Sequence, residues 1–206
     1  MATGQEKTAQ VGVTAREAAS EAMRDRILST TDRLFYRQGI RAVGVDTVAA
    51  EIGISKRTLY KYFPSKDALV TAYLERRFTP IPHSDRPPAE QILGAYDKVG
   101  ELFAADALLG CPFVNAVTEL ADPDHDAAKI ALAFKERRRL WFRDLLIAAK
   151  AKDADGLAGQ LCVLLDGAII QMLVRNDAGM AEIARAAAST LLKAAGVRPP
   201  AEKRRR

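Results

Sequence analysis

The sequence predicts an all-α protein of about nine helices. Apolar residues recur at the three- and four-residue spacing of helices, and Gly, Pro, Asn or Asp separate the segments that show this spacing. No segment has the strict alternation of a half-buried strand, and no glycine-rich phosphate loop occurs. The 206 residues, of which 49% are hydrophobic, suit one globular unit or a small domain with a larger one.

Four helices are predicted in the N-terminal third of the chain. They span residues 24–38, 46–52 and 56–62, and a fourth begins after Ser65. Gly39 and Gly53 end the first two helices, and Ser55 and Ser65 are the expected N-caps of the next two. Residues 1–20 lack a sustained apolar period, so we expect them to form a flexible arm.

Five longer helices are predicted after the segment 78–88. This segment contains four prolines and is the best candidate for a domain boundary. The later helices are expected near residues 88–105, 111–121, 125–152, 156–175 and 179–195. The predicted organisation is therefore an arm (1–20), a head (21–77), a body (78–197) and a tail (198–206) that cannot bury apolar surface.

The positive charge is concentrated in the head and the tail. Residues 21–77 hold 11 Lys or Arg against 7 Asp or Glu, and residues 198–206 hold 5 against 1, whereas residues 78–197 hold 13 against 16. Nucleic-acid binding needs a local basic surface rather than a basic average. This distribution favours a small polyanion-binding head on a mildly acidic body.

The second and third predicted helices have the form of a helix-turn-helix. The residues Gly53-Ile54-Ser55 separate them, and glycine suits the positive φ of such a turn. Ile54 and Leu59 are spaced to hold the third helix on the core, which leaves outside the side chains of Lys56, Arg57, Thr58, Lys61 and Tyr62. The second helix of such a motif presents its N-terminal side chains to the major groove, so the pattern predicts a DNA-binding head.

Two stretches, TDRLFYRQGI and VAAEIGISKRTLYKYFPSKDAL, resemble the N-terminal domain of TetR-family repressors. The resemblance covers residues 24–74 and includes the order T-L-Y-x-x-F followed by K-x-x-L. It implies a three-helix DNA-binding domain followed by a helical domain that binds a ligand and dimerises. The implied function is a transcriptional regulator, a repressor that a small-molecule effector releases from a palindromic operator on double-stranded DNA.

The resemblance also implies roles for residues of the head. The DNA-binding residues expected from it are Thr47, Lys56, Arg57, Thr58, Tyr60, Lys61, Tyr62 and Lys66. The family commonly has Ser or Thr at the position of Gly44, so Asp46 or Thr47 is expected to cap the second helix instead. Arg57 is the candidate for specificity, because a guanidinium can donate twice to guanine, which is worth about 1–3 kcal/mol of discrimination.

The body is expected to dimerise and to bind the effector. A single recognition helix reads few base pairs, so a homodimer is expected, through the last two long helices, which carry apolar residues on more than one face. The middle helices would enclose the effector, with the candidates Phe103, Phe113, Asn115, Glu119, Trp141, Phe142 and Gln171. An ordinary core or surface position is the other interpretation of each candidate.

Two charged clusters of the body also have two interpretations. His125, among three aspartates, could bind a metal, but a helix N-terminus built from Asp, Pro and Asp explains the same residues, and no metal or cofactor is predicted. The basic run at positions 135, 137, 138, 139 and 143 indicates either a solvated face with acidic partners such as Glu136 and Asp144 or a site for an acidic effector.

Three alternatives remain for the function. An activator, or a repressor that needs a co-repressor, fits the same residues. A helical enzyme with a DNA-binding head is disfavoured, because the body has no H-E-x-x-H, no nucleophile elbow and no zinc-ligand cluster, so no catalytic residue is predicted. An architectural nucleoid protein would use the head and the basic tail without sequence preference. Two cysteines, no secretory signal and no apolar run of membrane-spanning length predict a cytoplasmic protein without a membrane partner.

Overall fold

The computed structural model describes residues 4–81 and 84–198, with side chains described from Arg16 onward. Over these residues the chain forms nine α-helices and no strand, so the all-α prediction is confirmed. The helices are α1 (Gly4–Gln38), α2 (Val45–Ile52), α3 (Lys56–Tyr62), α4 (Lys66–Arg77), α5 (Pro88–Ala104), α6 (Pro112–Leu120), α7 (Asp126–Ala148), α8 (Ala154–Arg175) and α9 (Gly179–Ala194). His83 and the basic tail beyond Arg198 lie outside the described residues.

Helix α1 begins at Gly4 rather than at Arg24, so the described residues of the expected flexible arm, 4–20, are helical. Residues 16–22 are exposed, so burial does not hold this part of the helix. The segment contains Ala, Gln, Glu and Arg and no proline, and these residues favour helix. A helix already formed over the packed residues extends cheaply, one hydrogen bond for each residue added.

The first hydrophobic core lies among α1, α2, α3 and α4. Ile27 of α1, Val48 of α2, Leu59 of α3 and Leu69 of α4 are each 0% exposed. Phe35 meets the buried ring of Tyr73 edge to face, with 5.6 Å between the ring centroids. Each of these four helices therefore contributes at least one fully buried side chain, which fixes their relative positions.

The second core lies among α5, α8, α9 and the C-terminal half of α7. Ile92, Phe142, Leu161 and Leu192 are each fully buried in it. The hydroxyl of Tyr96 donates to the carbonyl oxygen of Leu161 at 2.8 Å, which satisfies a polar group inside this core. Burial raises the pKa of the Tyr96 hydroxyl well above its ordinary value, so the group stays a neutral donor.

Helix α6 and the first half of α7 pack on the first core although they follow the proline-rich segment. Phe113, Ala116, Ala127 and Ala131 are buried in the same cluster as the residues of the head. The ring of Phe113 stacks on that of Phe134 with 3.9 Å between the centroids. Helix α7 therefore spans both cores and joins the head to the rest of the body.

Helix α8 is long and apolar enough, by length and composition alone, to cross a membrane, so the expectation that no apolar run reaches that length is wrong. One face of α8 is buried against α5, α7 and α9 through Leu161, Leu165 and Met172, as in a core helix. Its other face exposes Val163 (74%) and Val174 (78%). The apolar side chains of α8 thus lie in the second core on one side and on an exposed surface on the other.

Candidate functional site

The turn between α2 and α3 has the geometry of a helix-turn-helix. Gly53 ends α2 with a φ of 78°, in the left-handed region that favours glycine. Ser55 begins α3 as its N-cap, where its hydroxyl oxygen accepts the backbone N–H of Thr58 at 3.0 Å. Leu59 (0% exposed) and the half-buried Ile54 hold α3 on the core, as the sequence predicted.

The outer face of α3 is exposed and basic. Lys56, Arg57 and Lys61 are exposed, and Tyr60 is 38% exposed beside them. Among the described residues, Arg57 and Lys61 form no ion pair and no side-chain hydrogen bond. These two cations are therefore available to phosphates and base edges without first leaving a protein partner.

Lys56 differs from its neighbours because it has an acidic partner. Its Nζ donates to Oδ2 of Asp46 at 2.9 Å, and both side chains are about half exposed or more. The hydrogen bond and the charge of Asp46 raise the pKa of Lys56 above its ordinary value. A phosphate that approaches Lys56 must therefore compete with Asp46.

The other expected DNA-binding residues lie on or beside the same face. Thr47 is exposed on α2, and Lys66 is half buried at the first position of α4. The hydroxyl of Thr58 shares a hydrogen bond of 2.9 Å with the hydroxyl of Ser55. Tyr62 is half buried against the first core, so only part of its ring is open. The eight residues therefore share one region but differ in how much of each side chain is free.

The N-terminus of α2 has no side-chain cap. The N-cap residue is Gly44, so the expectation that Asp46 or Thr47 caps this helix is wrong. Asp46 lies in the first turn of α2, where a carboxylate suits the helix dipole, but its oxygen bonds Lys56 instead. Thr47 remains exposed, so its hydroxyl is open to an external partner.

Two arginines of α1, which no sequence motif marks as functional, hold the helix-turn-helix in place. Arg24 Nη1 donates to the carbonyl of Tyr62 at 3.3 Å, and its guanidinium lies 4.4 Å from the ring centroid of Phe63. Arg26 Nη2 donates to the carbonyl of Ile52 at 2.7 Å. Each cation thus meets the carbonyl end of one helix of the motif, where the helix dipole favours positive charge. In the sequence, these contacts are indicated only by the presence of two basic residues on the helix before the motif.

The head is joined to α6 by hydrogen bonds from α1 and the loop after it. The hydroxyl of Tyr36 accepts the backbone N–H of Leu109 and donates to the carbonyl of Gly110, both at 2.9 Å. The backbone N–H of Arg41 donates to Glu119 Oε2 at 3.0 Å. The orientation of the head relative to α6 is thus fixed by polar contacts as well as by the shared core.

Arg77 fastens α4 to α1 beside this joint. Its Nη2 donates to Asp32 Oδ2 at 2.8 Å, and its Nε donates to the other oxygen of the same carboxylate. The guanidinium lies 4.0 Å from the ring centroid of Tyr36. Burial lowers the pKa of Arg77, but the hydrogen bond to Asp32 and the nearby rings leave it raised overall.

The expected effector residues do not converge on one site. Trp141 lines a cleft among α5, α7 and α8, and the half-buried Phe103 packs on the second core. Four others lie elsewhere: Phe113 in the first core, Asn115 against the carbonyl of Leu109, Glu119 against Arg41, and Gln171 on the surface against Arg175. Phe142 is fully buried in the second core. Of these partners only Arg41 is distant in the chain from its candidate, since Leu109 and Arg175 lie within six residues of Asn115 and Gln171.

The cleft beside Trp141 has a volume of about 380 Å³, within the range of small-molecule sites. Its floor and walls include Val99 and Leu102 of α5 and Leu165 of α8. Arg138, one turn before Trp141 on α7, lines it as well. The cleft therefore combines apolar walls with a basic group.

His125 is the N-cap of α7, and its Nδ1 accepts the backbone N–H of Ala127 at 3.0 Å. Its Nε2 lies 3.6 Å from Oδ1 of Asp67 on α4. Among the described residues no group of three or more His, Cys, Asp or Glu is arranged to hold a metal ion. His125 and the aspartates around it therefore build a helix end at the contact between α4 and α7.

Helices α8 and α9 carry exposed apolar side chains on their outer surface. Val163 and Val174 of α8 and Ile183 of α9 are each more than half exposed. A groove of about 750 Å³ runs between the two helices, with Val163, Leu164, Ala187 and Leu191 along it. An apolar face of this kind commonly marks a protein–protein contact.

Comparison with known proteins gives the chain a family. The model of the family described as bacterial regulatory proteins, tetR family, matches residues 27–73. An HTH-type transcriptional regulator of Mycobacterium tuberculosis is 42% identical over 57 residues, and the match covers only 28% of each chain. The HTH-type transcriptional regulator YjdC of Escherichia coli is 25% identical over 183 residues, which cover 85% of this chain and 96% of YjdC.

The similarity to solved structures extends beyond the head. A crystal structure from Streptomyces avermitilis, assigned to the tetR transcriptional regulators, is 32% identical with a TM-score of 0.76. The match covers 84% of this chain and 98% of that one, so it includes the helices of the body. Together with the helix-turn-helix and its basic outer face, these similarities show that the chain belongs to the TetR family of bacterial regulatory proteins.

Proposed function

We propose that this chain is a sequence-specific DNA-binding transcriptional regulator. In this proposal it acts as a homodimer, and it is a repressor that a small-molecule effector releases from a palindromic operator. The observation that carries the proposal is the outer face of α3, where Arg57 and Lys61 are exposed and have no partner in the described part of the chain, on a helix anchored by Leu59. The family membership supports the same conclusion.

The chemistry of α3 divides the work between specificity and affinity. Arg57 carries a planar guanidinium, which can donate to O6 and N7 of guanine together. Lys61 carries a point charge, which suits phosphates and releases counterions without reading sequence. Tyr60 and Thr58, which border these residues, offer hydroxyl groups for phosphate oxygens.

Two copies of α3 are needed for useful specificity, and the α8–α9 face supports their pairing. A two-fold dimer presents two recognition helices about 34 Å apart, or a multiple of it, along the major groove. The exposed Val163, Val174 and Ile183 would be buried in such a dimer, which removes apolar surface from water.

The release of DNA by an effector follows from the coupling of ligand binding in the cleft to operator binding by the head. Helix α7 packs on α4 at one end and lines the cleft at the other, so a ligand in the cleft contacts a helix that touches the head. A ligand that favours the conformer with wrongly spaced heads must weaken operator binding by the same factor, typically about 1–3 kcal/mol. Equal operator affinity with and without a bound ligand would contradict this mechanism.

The DNA proposal is tested by anisotropy titrations with the palindrome upstream of the gene and a random duplex of equal length. The salt concentration is varied, because phosphate contacts alone give salt-dependent binding without a preference. Arg57→Ala is expected to reduce the preference by about 1–3 kcal/mol. Lys61→Ala is expected to weaken both duplexes alike and to lower the salt slope by about one.

The control for these variants is Arg143→Ala, because Arg143 lies on α7 and pairs with Asp144 at 2.8 Å. It should bind both duplexes as the parent protein does. Equal affinity of the parent for the two duplexes would indicate an architectural protein instead. A reporter gene behind the palindrome separates a repressor, whose loss raises expression, from an activator, whose loss lowers it.

The dimer proposal is tested by light scattering after size exclusion. Val163→Asp places a charge on the exposed face of α8 and is expected to give a monomer, since burying an unpaired carboxylate is costly. Leu132→Asp is the matched control, because Leu132 is 72% exposed on α7, outside the α8–α9 groove. A monomeric parent, or a Val163→Asp dimer as stable as the control, would contradict the pairing.

A further inference from the structure

The cleft among α5, α7 and α8 is more basic than its apolar walls require. Arg86, Lys98 and Arg138 line it, against a single acidic side chain, that of Glu90. Lys98 has a partner outside the cleft, Glu101, at 3.6 Å. Glu90 forms no ion pair with Arg138. The cleft thus holds uncompensated positive charge beside an apolar surface.

Arg138 is the exception in the basic run along α7. Four members of the run bond protein oxygen atoms: Lys135 to Asp166, Arg137 to Thr79, Arg139 to Glu136 and Asp155, and Arg143 to Asp144. Among the described residues Arg138 has no oxygen acceptor, and its guanidinium lies 5.0 Å from the ring centroid of Phe134. Arg138 is half buried, so its unused donors are partly withdrawn from water.

The free donors of a half-buried guanidinium bond water on its open side, so a ligand in the cleft must bond them better than that water does. A carboxylate does so best, because its two oxygens match two parallel N–H donors of the guanidinium. Trp141 follows Arg138 by three positions, so the two side chains lie on the same side of α7. Trp141, Val99, Leu102 and Leu165 then offer an apolar surface within reach of the same ligand.

We propose that this cleft binds an amphipathic acid, with its carboxylate on Arg138 and its apolar body against Trp141, Leu102 and Leu165. The inference rests on the proposed function, because it gives the chemical class of the effector. The volume of about 380 Å³ suits a molecule of roughly the size of a medium-chain or aryl-substituted carboxylic acid. Neutral aromatic compounds compete for the same apolar walls but leave Arg138 unpaired.

Trp141 makes the test direct, because it is the single tryptophan of the chain. Its fluorescence is followed while the purified protein is titrated near neutral pH with phenylbutyrate and decanoate, and with phenylbutyramide and decanamide. Each amide has nearly the shape of its acid but no charge. We expect each acid to bind about tenfold more tightly than its amide, equivalent to about 1.4 kcal/mol.

Variants assign the preference to Arg138. Arg138→Met keeps a long apolar side chain and is expected to bring acid and amide within about twofold of each other. Arg138→Lys keeps the charge and should retain part of the preference. Arg143→Met, on the same helix but paired with Asp144, should bind as the parent does. Circular dichroism of each variant checks that the helices are retained.

Three results would overturn the proposal: acid and amide binding equally, no change of Trp141 emission with either acid, or an acid preference that survives in Arg138→Met. These results say nothing about DNA binding. If Arg57→Ala lowers operator preference while no acid binds the cleft, the regulator proposal stands and the acidic effector fails. If the acids bind but the palindrome is not preferred, the acid-binding cleft stands and the regulator proposal fails.

Discussion

The hydroxyl of Tyr36 is the most informative single group at the joint between the head and α6. It accepts the N–H of Leu109 and donates to the carbonyl of Gly110, while its ring contacts the guanidinium of Arg77. Tyr36→Phe keeps the ring and removes both hydrogen bonds. A net hydrogen bond contributes about 1 kcal/mol, and these two are partly open to water, so we expect the free energy of unfolding to fall by about 1–2 kcal/mol.

The measurement is urea denaturation followed by circular dichroism at one fixed protein concentration, because the proposed dimerisation would make apparent stability concentration-dependent. Tyr60→Phe is the matched control. Tyr60 is 38% exposed, and its hydroxyl bonds no other described residue, so this change should leave stability within about 0.5 kcal/mol. If the two variants lose the same amount, the Tyr36 hydroxyl does not hold the head to α6.

Three further predictions concern the motif and the helix surfaces. Leu59→Ala removes a fully buried side chain of α3 and should lower the free energy of unfolding by about 2–5 kcal/mol, measured by urea denaturation. Gly53→Ala should lower the free energy of unfolding by about 1 kcal/mol, because φ at this position is 78°. Gly94→Ala, inside α5 with open space around it, should raise the free energy of unfolding by about 0.5–1 kcal/mol. A change of the same sign in both variants would refute this reasoning. Hydrogen bonds from Arg139 hold the pKa of Glu136 below its ordinary value. They therefore stabilise the folded state fully at a pH above the ordinary carboxyl pKa, and this stabilisation is lost as the pH falls through the pKa that Glu136 has in the folded protein. Arg139→Gln should raise that pKa in an NMR titration, and an unchanged pKa would contradict the assignment.

The sequence alone was sufficient for the motif and for the order of the helices, although it missed the part of α1 before Arg24. Ser55 and Ser65 cap α3 and α4 as expected, and Gly53 has the positive φ that the turn requires. These features depend on residues within a few positions of each other, so local pattern decides them. Leu59 was identified as the anchor of α3 for the same reason, since helical spacing places it opposite Arg57 and Lys61.

The sequence was insufficient to predict contacts in which a side chain bonds or packs against another segment of the chain. Asp46 binds Lys56 across the motif instead of capping α2, and Glu119 binds the backbone of Arg41 instead of facing an effector cleft. Phe113 stacks in the core of the head although it follows the proline-rich segment. Composition and spacing carry no information about such pairings, because they depend on how whole helices pack.

The chain's own pattern of apolar residues, caps and glycines therefore determined an all-α protein with a DNA-reading motif at its N-terminal end. The tertiary structure alone decided which charges remain free. In the run along α7, four of the basic side chains meet oxygen acceptors, whereas Arg138 meets none among the residues that the structure describes, although all five look alike in the sequence. The physical reason is that helix periodicity is a local property, whereas the compensation of a charge depends on which group the folded chain brings within a few ångströms of it.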